Sequence, residues 1–391
     1  MNYKRVFVIV LDSFGVGHAI DKEKYGDSIA NTALHIDQKV NGLNVPTLEK
    51  LGFGHLDSYI GIKPVKDFIG YVGRLCETSN GKDTMTGHWE MMGINTLIPF
   101  KTFTDTGFPK ELIDELEKRT GHKIIGNKSA SGTEIIKEYG ERQLETNELI
   151  VYTSSDSVLQ IAVNESIVPV EKLYEYCEIA REITMKEEWK VGRIIARPFV
   201  GTNKDNFKRT PKRHDYALSP SSDTYLDLLK NNKFDVISVG KIADIFNHQG
   251  ISEAFKTVSN EDGMNKTIEI AMNKDFNGLC FVNLVDFDME YGHRRNTEGY
   301  AKCLEDFDVQ LKELLPCLKE DDLLILTADH GNDPTAPGSD HTREEVPFIL
   351  YSPSFKEGKL IEKGTTFANI GATVAANFGL EDKDLLGKNI L

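Results

Sequence analysis

The run Val-Phe-Val-Ile-Val-Leu at residues 6–11 stops abruptly at Asp12. It is continuously apolar rather than alternating, the texture of a strand covered on both faces and therefore of a parallel sheet between helices. The texture returns late in the chain, at residues 234–239, 279–285, 323–327 and 347–351. Between the runs at 279–285 and 323–327, Cys303, Leu304, Phe307, Leu311, Leu314 and Leu315 recur at helical spacing. A last helix is expected near residues 367–378. Strands alternating with helices predict an α/β fold.

The middle of the chain reads differently. Residues 109–120 form an amphipathic helix with Gly121 as its stop, and residues 133–139 a shorter helix ending at Gly140. Residues 149–163 are strand-rich, 170–183 helical and 191–200 a strand. This α+β block interrupts the α/β unit. The expected organisation is a first core part at 1–100, an inserted domain at 101–217 and a second core part at 218–391. Inserted domains act as caps over sites at domain interfaces.

With 46 basic and 61 acidic residues the formal charge is −15. A chain this acidic is a poor general binder of nucleic acid or anionic membrane. An anionic substrate then needs local positive charge, which bound metal ions supply. The five cysteines are widely spaced without a CxxC, against a disulfide framework or a thiolate zinc site. The N-terminal apolar run is too short for a signal peptide and no stretch has the length of a membrane span, so a cytoplasmic location is expected. Nothing in the chain calls for an obligate protein partner.

Four segments carry candidate chemistry: Leu11-Asp12-Ser13; Val285-Asp286-Phe287-Asp288-Met289-Glu290-Tyr291-Gly292-His293; Thr327-Ala328-Asp329-His330-Gly331-Asn332-Asp333; and Asp340-His341-Thr342-Arg343-Glu344. Three of them end or closely follow an apolar run, where open α/β sheets bind ligands. An Asp there also serves as a helix cap. Asp286 and Asp288, two apart, share a face if the chain is extended. In Asp329-His330-Gly331 both side chains can be ligands, and the glycine permits a turn that aims them. Three carboxylates and three imidazoles suit two divalent ions, with manganese or zinc favoured over magnesium or calcium. Two such ions can clamp both oxygens of an in-line displacement. The acceptor hydroxyl is sought in Gly81-Lys82-Asp83-Thr84-Met85-Thr86-Gly87-His88-Trp89-Glu90, where a threonine beside a metal becomes a nucleophile.

These segments, in this order and with the inserted middle, resemble the phosphopentomutases over essentially the whole chain. That family lies in the alkaline phosphatase superfamily and is related to cofactor-independent phosphoglycerate mutase. The resemblance implies an alkaline-phosphatase-like core with a mainly parallel sheet between helices, plus an inserted α+β cap. It implies two manganese ions, one held by Asp12, Asp329, His330 and the nucleophile, the other by Asp288, His293 and His341. Asp286 then either supports the ligands from behind or is structural. Phosphoglycerate mutases carry Asn-Ser-Glu-Val-Gly-His where this chain has Asp-Thr-Met-Thr-Gly-His, so Thr84 falls on the nucleophilic serine and Thr86 on a valine.

The segments at 152–157, 192–199 and 208–216 resemble the family's substrate-binding parts. They imply Arg193 and Arg209, with Lys241 from the core, as phosphate ligands, and Ser154 and Asp156 as partners of sugar hydroxyls. The implied reaction interconverts α-D-ribose 1-phosphate and D-ribose 5-phosphate, and the deoxyribose analogues, through a phosphothreonine and a bisphosphate, primed by a sugar bisphosphate such as glucose 1,6-bisphosphate. The rivals are a phosphatase on the same metal core, a phosphoglycerate mutase, and a metal-binding protein with no chemistry. A hydroxyl nucleophile beside six ligands speaks against the last.

Overall fold

The computed structural model describes residues 3–154 and 156–391, so of the segment at 152–157 Ser155 lies outside the described residues. The chain forms two compact units, Met1–Pro99 with Ser219–Leu391, and Phe100–Leu218. In chain order the strands are β1 Arg5–Leu11, β2 Tyr71–Leu75, β3 Ile124–Ser129, β4 Leu149–Thr153, β5 Val158–Asn164, β6 Arg193–Val200, β7 Lys208–Arg209, β8 His214–Ala217, β9 Asp235–Val239, β10 Glu253–Phe255, β11 Gly278–Leu284, β12 Asp322–Thr327, β13 Val346–Tyr351 and β14 Lys359–Leu360.

The first unit is built on an eight-stranded sheet in the order β10-β9-β11-β1-β12-β13-β2-β14. Strands β1, β11 and β12 are buried along their whole length, which is why their sequences are continuous apolar runs. β1 runs parallel to both β11 and β12. β13 has the same texture yet runs antiparallel to β12 and to β2. An unbroken apolar run therefore reports burial on both faces, not strand direction. Register positions the site. Leu11 pairs with Leu284 and Val10 with Thr327, so the three strands end together and deliver Asp12, Asp286 and Asp329 to one edge of the sheet. Helix Thr297–Leu314 buries Tyr300, Leu304, Phe307, Leu311 and Leu314. At the opposite end of β1 the buried Arg5 donates through Nε to Asp322 Oδ1 (2.8 Å) and through Nη1 to the carbonyls of Ala271 and Lys274, so its charge is paired and hydrogen-bonded as burial demands.

The second unit holds a six-stranded sheet, β3-β4-β5-β6-β7 with β8 also paired to β6. Leu112 and Leu116 of helix Lys110–Thr120 and Leu173 and Cys177 of helix Val170–Ile183 pack on one face. Ile135 and Ile136 of helix Gly132–Thr146 pack on the other. That helix does not end at Gly140 as its sequence suggests. It runs on to Thr146 and closes at Asn147 in the left-handed conformation (φ 58°). Gly140 is there for close packing: a Cβ would come within 2.5 Å of the Phe207 ring. Among the described residues no helix is long and apolar enough to cross a membrane.

Candidate active site

Asp12 leaves β1 and is followed by Ser13 in the left-handed region (φ 72°), a conformation that non-glycine residues hold only where the surroundings enforce it. The enforcing contact is Ser13 N–H, which donates to Asp329 Oδ1 at 3.0 Å. Asn283, on β11, donates to Asp12 Oδ2 at 2.8 Å. The other oxygens face one another. Asp12 Oδ1 lies 3.5 Å from His330 Nε2, and Asp329 Oδ2 lies 3.3 Å from the same nitrogen and 3.2 Å from His88 Nδ1. Neither oxygen makes a hydrogen bond, and both are buried. Ligand atoms of Asp12, Asp329 and His330 all fall within 4.8 Å of one another. His330 is oriented through Nδ1, 3.0 Å from the Gly331 carbonyl.

A second group adjoins the first. Asp288 lies on a wide helical turn, Phe287–Gly292, rather than on the extended chain that the spacing of Asp286 and Asp288 allows. The turn separates the two carboxylates. Asp286 Oδ2 accepts from Asn260 N (2.7 Å) at the start of helix Asn260–Asn273, whereas Asp288 is buried in the site. Asp288 Oδ2 is 3.1 Å from His293 Nε2, and its Oδ1 is 3.4 Å from His341 Nε2 while accepting from Asn332 Nδ2 at 2.7 Å. The two imidazole Nε2 atoms are 3.1 Å apart. The His330 and His341 rings are tilted at 36° with centroids 4.0 Å apart, and Asp288, His330 and His341 also form a ligand group within 4.8 Å. His330 thus stands between the two clusters. Gly331 makes no left-handed turn; it is glycine because a Cβ would meet Glu344 Oε1 at 2.3 Å.

Burial lifts the Asp12 carboxyl to about 7, with the charges of Asp329 and Asp288 adding to it. Burial alone would lower His330, but Asp329 and Asp12 outweigh it and raise the imidazole to about 9. Burial likewise opposes ionisation of Asp288, yet His293 and His341 hold it well below the usual carboxylate range.

Thr84 opens helix Thr84–Met91, and its Oγ1 lies 3.2 Å from His330 Nε2. Thr86 is buried and donates its hydroxyl to Asp83 Oδ2 at 2.6 Å, completing the helix cap. Gly87 lets the helix lie against Asp329, where a Cβ would meet the Asp329 carbonyl oxygen at 2.1 Å. Three residues that sequence reasoning passed over belong to this site: His88, Asn283 and Asn332. His88 had a signal, since it lies one helical turn after Thr84. Asn283 is the polar residue in the otherwise apolar β11, which is the kind of exception that marks a site.

Divalent metal ions suit these residues. Two buried carboxylate oxygens without hydrogen bonds and three imidazole nitrogens converging on carboxylates are a surplus of acceptors that neighbouring side chains do not satisfy. Mixed oxygen and nitrogen donors are the ligand set of such ions.

Lys241, also in the first unit, precedes helix Ile242–Ile245, and its charge slightly opposes the rise that burial gives the Asp12 pKa. The remaining expected substrate residues lie in the second unit. Arg193 Nη2 donates to Asp156 Oδ2 at 3.1 Å, and its Nη1 is 3.8 Å from Asp215 Oδ2. The Ser154 carbonyl accepts from Thr104 Oγ1 at 2.9 Å. Arg209 pairs opposite Phe199 on β6, so alternation puts Arg193 and Arg209 on one face of the sheet. Arg197 shares that face and donates through Nε to Gln160 Oε1 at 2.9 Å.

A family model described as the Metalloenzyme superfamily matches residues 4–382. The phosphopentomutase of Clostridium perfringens (strain 13 / Type A) is 59% identical over 390 residues, covering 100% of this chain and 98% of the relative. That of Clostridium botulinum (strain Alaska E43 / Type E3) is 58% identical over the same length and coverage. A solved phosphoglycerate mutase of Leishmania mexicana is 13% identical with a TM-score of 0.52, covering 100% of this chain and 98% of that one, and so shares its fold. The fold and the ligand clusters are those of a metal-dependent enzyme, and the chain belongs to the Metalloenzyme superfamily. Within it, the chain belongs to the phosphopentomutase family, isomerases that act by phosphoryl transfer.

Proposed function

We infer that the enzyme interconverts α-D-ribose 1-phosphate and D-ribose 5-phosphate, and their deoxyribose analogues, with Thr84 as the residue that carries the phosphoryl group. The supporting observation is the Thr84 hydroxyl 3.2 Å from His330, beside buried carboxylate oxygens that no hydrogen bond satisfies. Asp12, Asp329, His330 and Thr84 would hold one manganese ion, and Asp288, His293 and His341 the other. Bound there, the ions supply positive charge to the phosphoryl oxygens and favour the ionised threonine hydroxyl.

The chain's own residues do the rest. Phosphothreonine 84 gives its phosphoryl group to the free hydroxyl of the bound monophosphate. The resulting bisphosphate reverses in the site and returns its other phosphoryl group to Thr84. Little covalent chemistry is asked of the protein, so positioning and charge stabilisation carry the rate. The inserted unit acts as the cap: Arg193 and Arg209, with Lys241, hold the distal phosphate through charge-assisted hydrogen bonds, and Ser154 and Asp156 hold sugar hydroxyls. Closure keeps water from the phosphothreonine. A sugar bisphosphate such as glucose 1,6-bisphosphate primes the resting enzyme, which works in the cytoplasm.

Phosphorus NMR tests this. Manganese-loaded protein receives ribose 1-phosphate and a trace of glucose 1,6-bisphosphate. Growth of ribose 5-phosphate without inorganic phosphate is the expected result; inorganic phosphate as the sole product would make the protein a phosphatase and remove the water-excluding cap.

A further inference from the structure

Arg343 is a large, charged side chain with 2% exposure, and neither the metal ligands nor the substrate residues account for it. Its guanidinium is fully engaged. Nη1 donates to the carbonyls of Ser79 (2.9 Å) and Gly81 (2.6 Å) and to the Glu77 carboxylate; Nη2 donates to the Glu77 carbonyl (2.7 Å); Nε and Nη2 donate to the Asp21 carboxylate at 3.1 Å each. Three of these acceptors are backbone carbonyls of the short segment leading into Asp83 and Thr84. The Arg343 amide also donates to Asp27 Oδ2 (2.8 Å), which accepts from Lys82 Nζ at 3.1 Å. The other end of the connection is equally firm. Arg343 is two residues from His341, and Thr342 between them exchanges both backbone hydrogen bonds with Gly331 (3.0 and 2.8 Å), next to His330.

We propose that Arg343 is a positioning residue that fixes Thr84 relative to His330 and His341, joining the nucleophile segment to the histidine segments by one buried fork. This rests on Thr84 being the phosphorylated residue. Stability alone does not call for this arrangement. Replacing a buried arginine and its carboxylate partner by apolar side chains of similar volume is often neutral or stabilising, and in some proteins such groups are kept for the geometry they fix. The planar fork reaches several acceptors at once, which a lysine cannot do.

The test uses the full-length manganese-loaded enzyme and two variants. Arg343→Lys keeps the charge beside Glu77 and Asp21 but loses the fork. It is expected to fold, to keep its metal content by mass spectrometry, and to hold KM for ribose 1-phosphate within about threefold, while kcat falls by about 100-fold, as misplacement of a reacting group by about an ångström does. Glu77→Gln keeps every backbone bond of the fork and is expected to retain kcat within about threefold, even if its melting temperature drops. The proposal is overturned if Arg343→Lys turns over near the wild-type rate, if its loss of kcat comes with loss of metal, or if Glu77→Gln loses kcat equally, since then burial of charge rather than placement of Thr84 is at stake. Mapping the phosphate on the wild-type chain separates the two readings: phosphate elsewhere than Thr84 sinks the reading beneath the proposal, whatever Arg343→Lys does.

Discussion

Thr84 Oγ1 lies 3.2 Å from His330 Nε2, although the two residues are 246 positions apart in sequence. One opens a helix and the other follows β12, and the hydroxyl is thereby held beside carboxylates that lack hydrogen-bond partners. Thr84→Val keeps the shape and removes the oxygen. Turnover should be abolished, and labelled sugar bisphosphate should leave no acid-stable phosphothreonine. Labelling that persists in the variant would move the nucleophile to Thr86.

Gly87 touches the Asp329 peptide so closely that a methyl group cannot fit without moving helix Thr84–Met91 or β12's end. Gly87→Ala normally favours a helix, yet here it should destabilise by about 1–3 kcal/mol, the usual cost of overpacking. Because the displaced helix carries Thr84, kcat should fall by about 100-fold. Urea unfolding and steady-state kinetics on the same preparation check both; a stabilised, active variant would show that the contact is soft.

Asp288 is the carboxylate shared by His293 and His341. Asp288→Asn should reduce bound metal from two ions per chain to one, leaving the ion of Asp12, Asp329 and His330 in place. Removing metal altogether should lower the melting temperature, since an ion at a hundred times its dissociation constant stabilises by about 2.7 kcal/mol. Elemental analysis and thermal scans with and without chelator read both effects. Two ions retained by the variant would dismiss Asp288 as a ligand.

His35 Nδ1 lies 2.5 Å from Asp333 Oδ2 and anchors helix Thr32–Lys39 to the segment that follows His330. The hydrogen bond to Asp333 raises the His35 pKa above 6.5 against the opposing effect of burial. Burial raises Asp333, but the bond to His35 and those to Thr335 outweigh it and lower its pKa below 3.8. The histidine's contribution is therefore complete below pH 6.5 and lost as pH rises through its raised pKa. The carboxylate's is complete above pH 3.8 and lost as pH falls through its lowered one. Wild type should exceed His35→Gln in stability by about 1 kcal/mol at pH 5.5, the scale of a partly exposed charge-assisted bond, and the difference should vanish at high pH. A difference unchanged from pH 5.5 to 9 would mean the bond is not charge-assisted.

The sequence by itself determined the buried strands, because a strand covered on both faces must be apolar at every position, as β1, β11 and β12 are. It also narrowed the candidate metal ligands to the acids and histidines clustered after such strands, among which Asp286 proved to bond a helix start instead. Strand direction was not legible, because β13 is buried in the same way whichever way it runs. Nor was the separation of Asp286 from Asp288, which depends on a helical turn in place of extended chain. Gly140 misled for a related reason: the residue signals a helix stop locally, but its helix runs on to Thr146 and the glycine instead leaves room for the Phe207 ring. His88 and Asn283 acquire their partners only when β1, β11, the end of β12 and helix Thr84–Met91 come together, and Arg343 only when its loop meets Asp21 and the segment after β2. Local pattern fixes which groups are buried, whereas distance between groups hundreds of residues apart is set by register and packing. That distance is what turns a list of candidate ligands into a site.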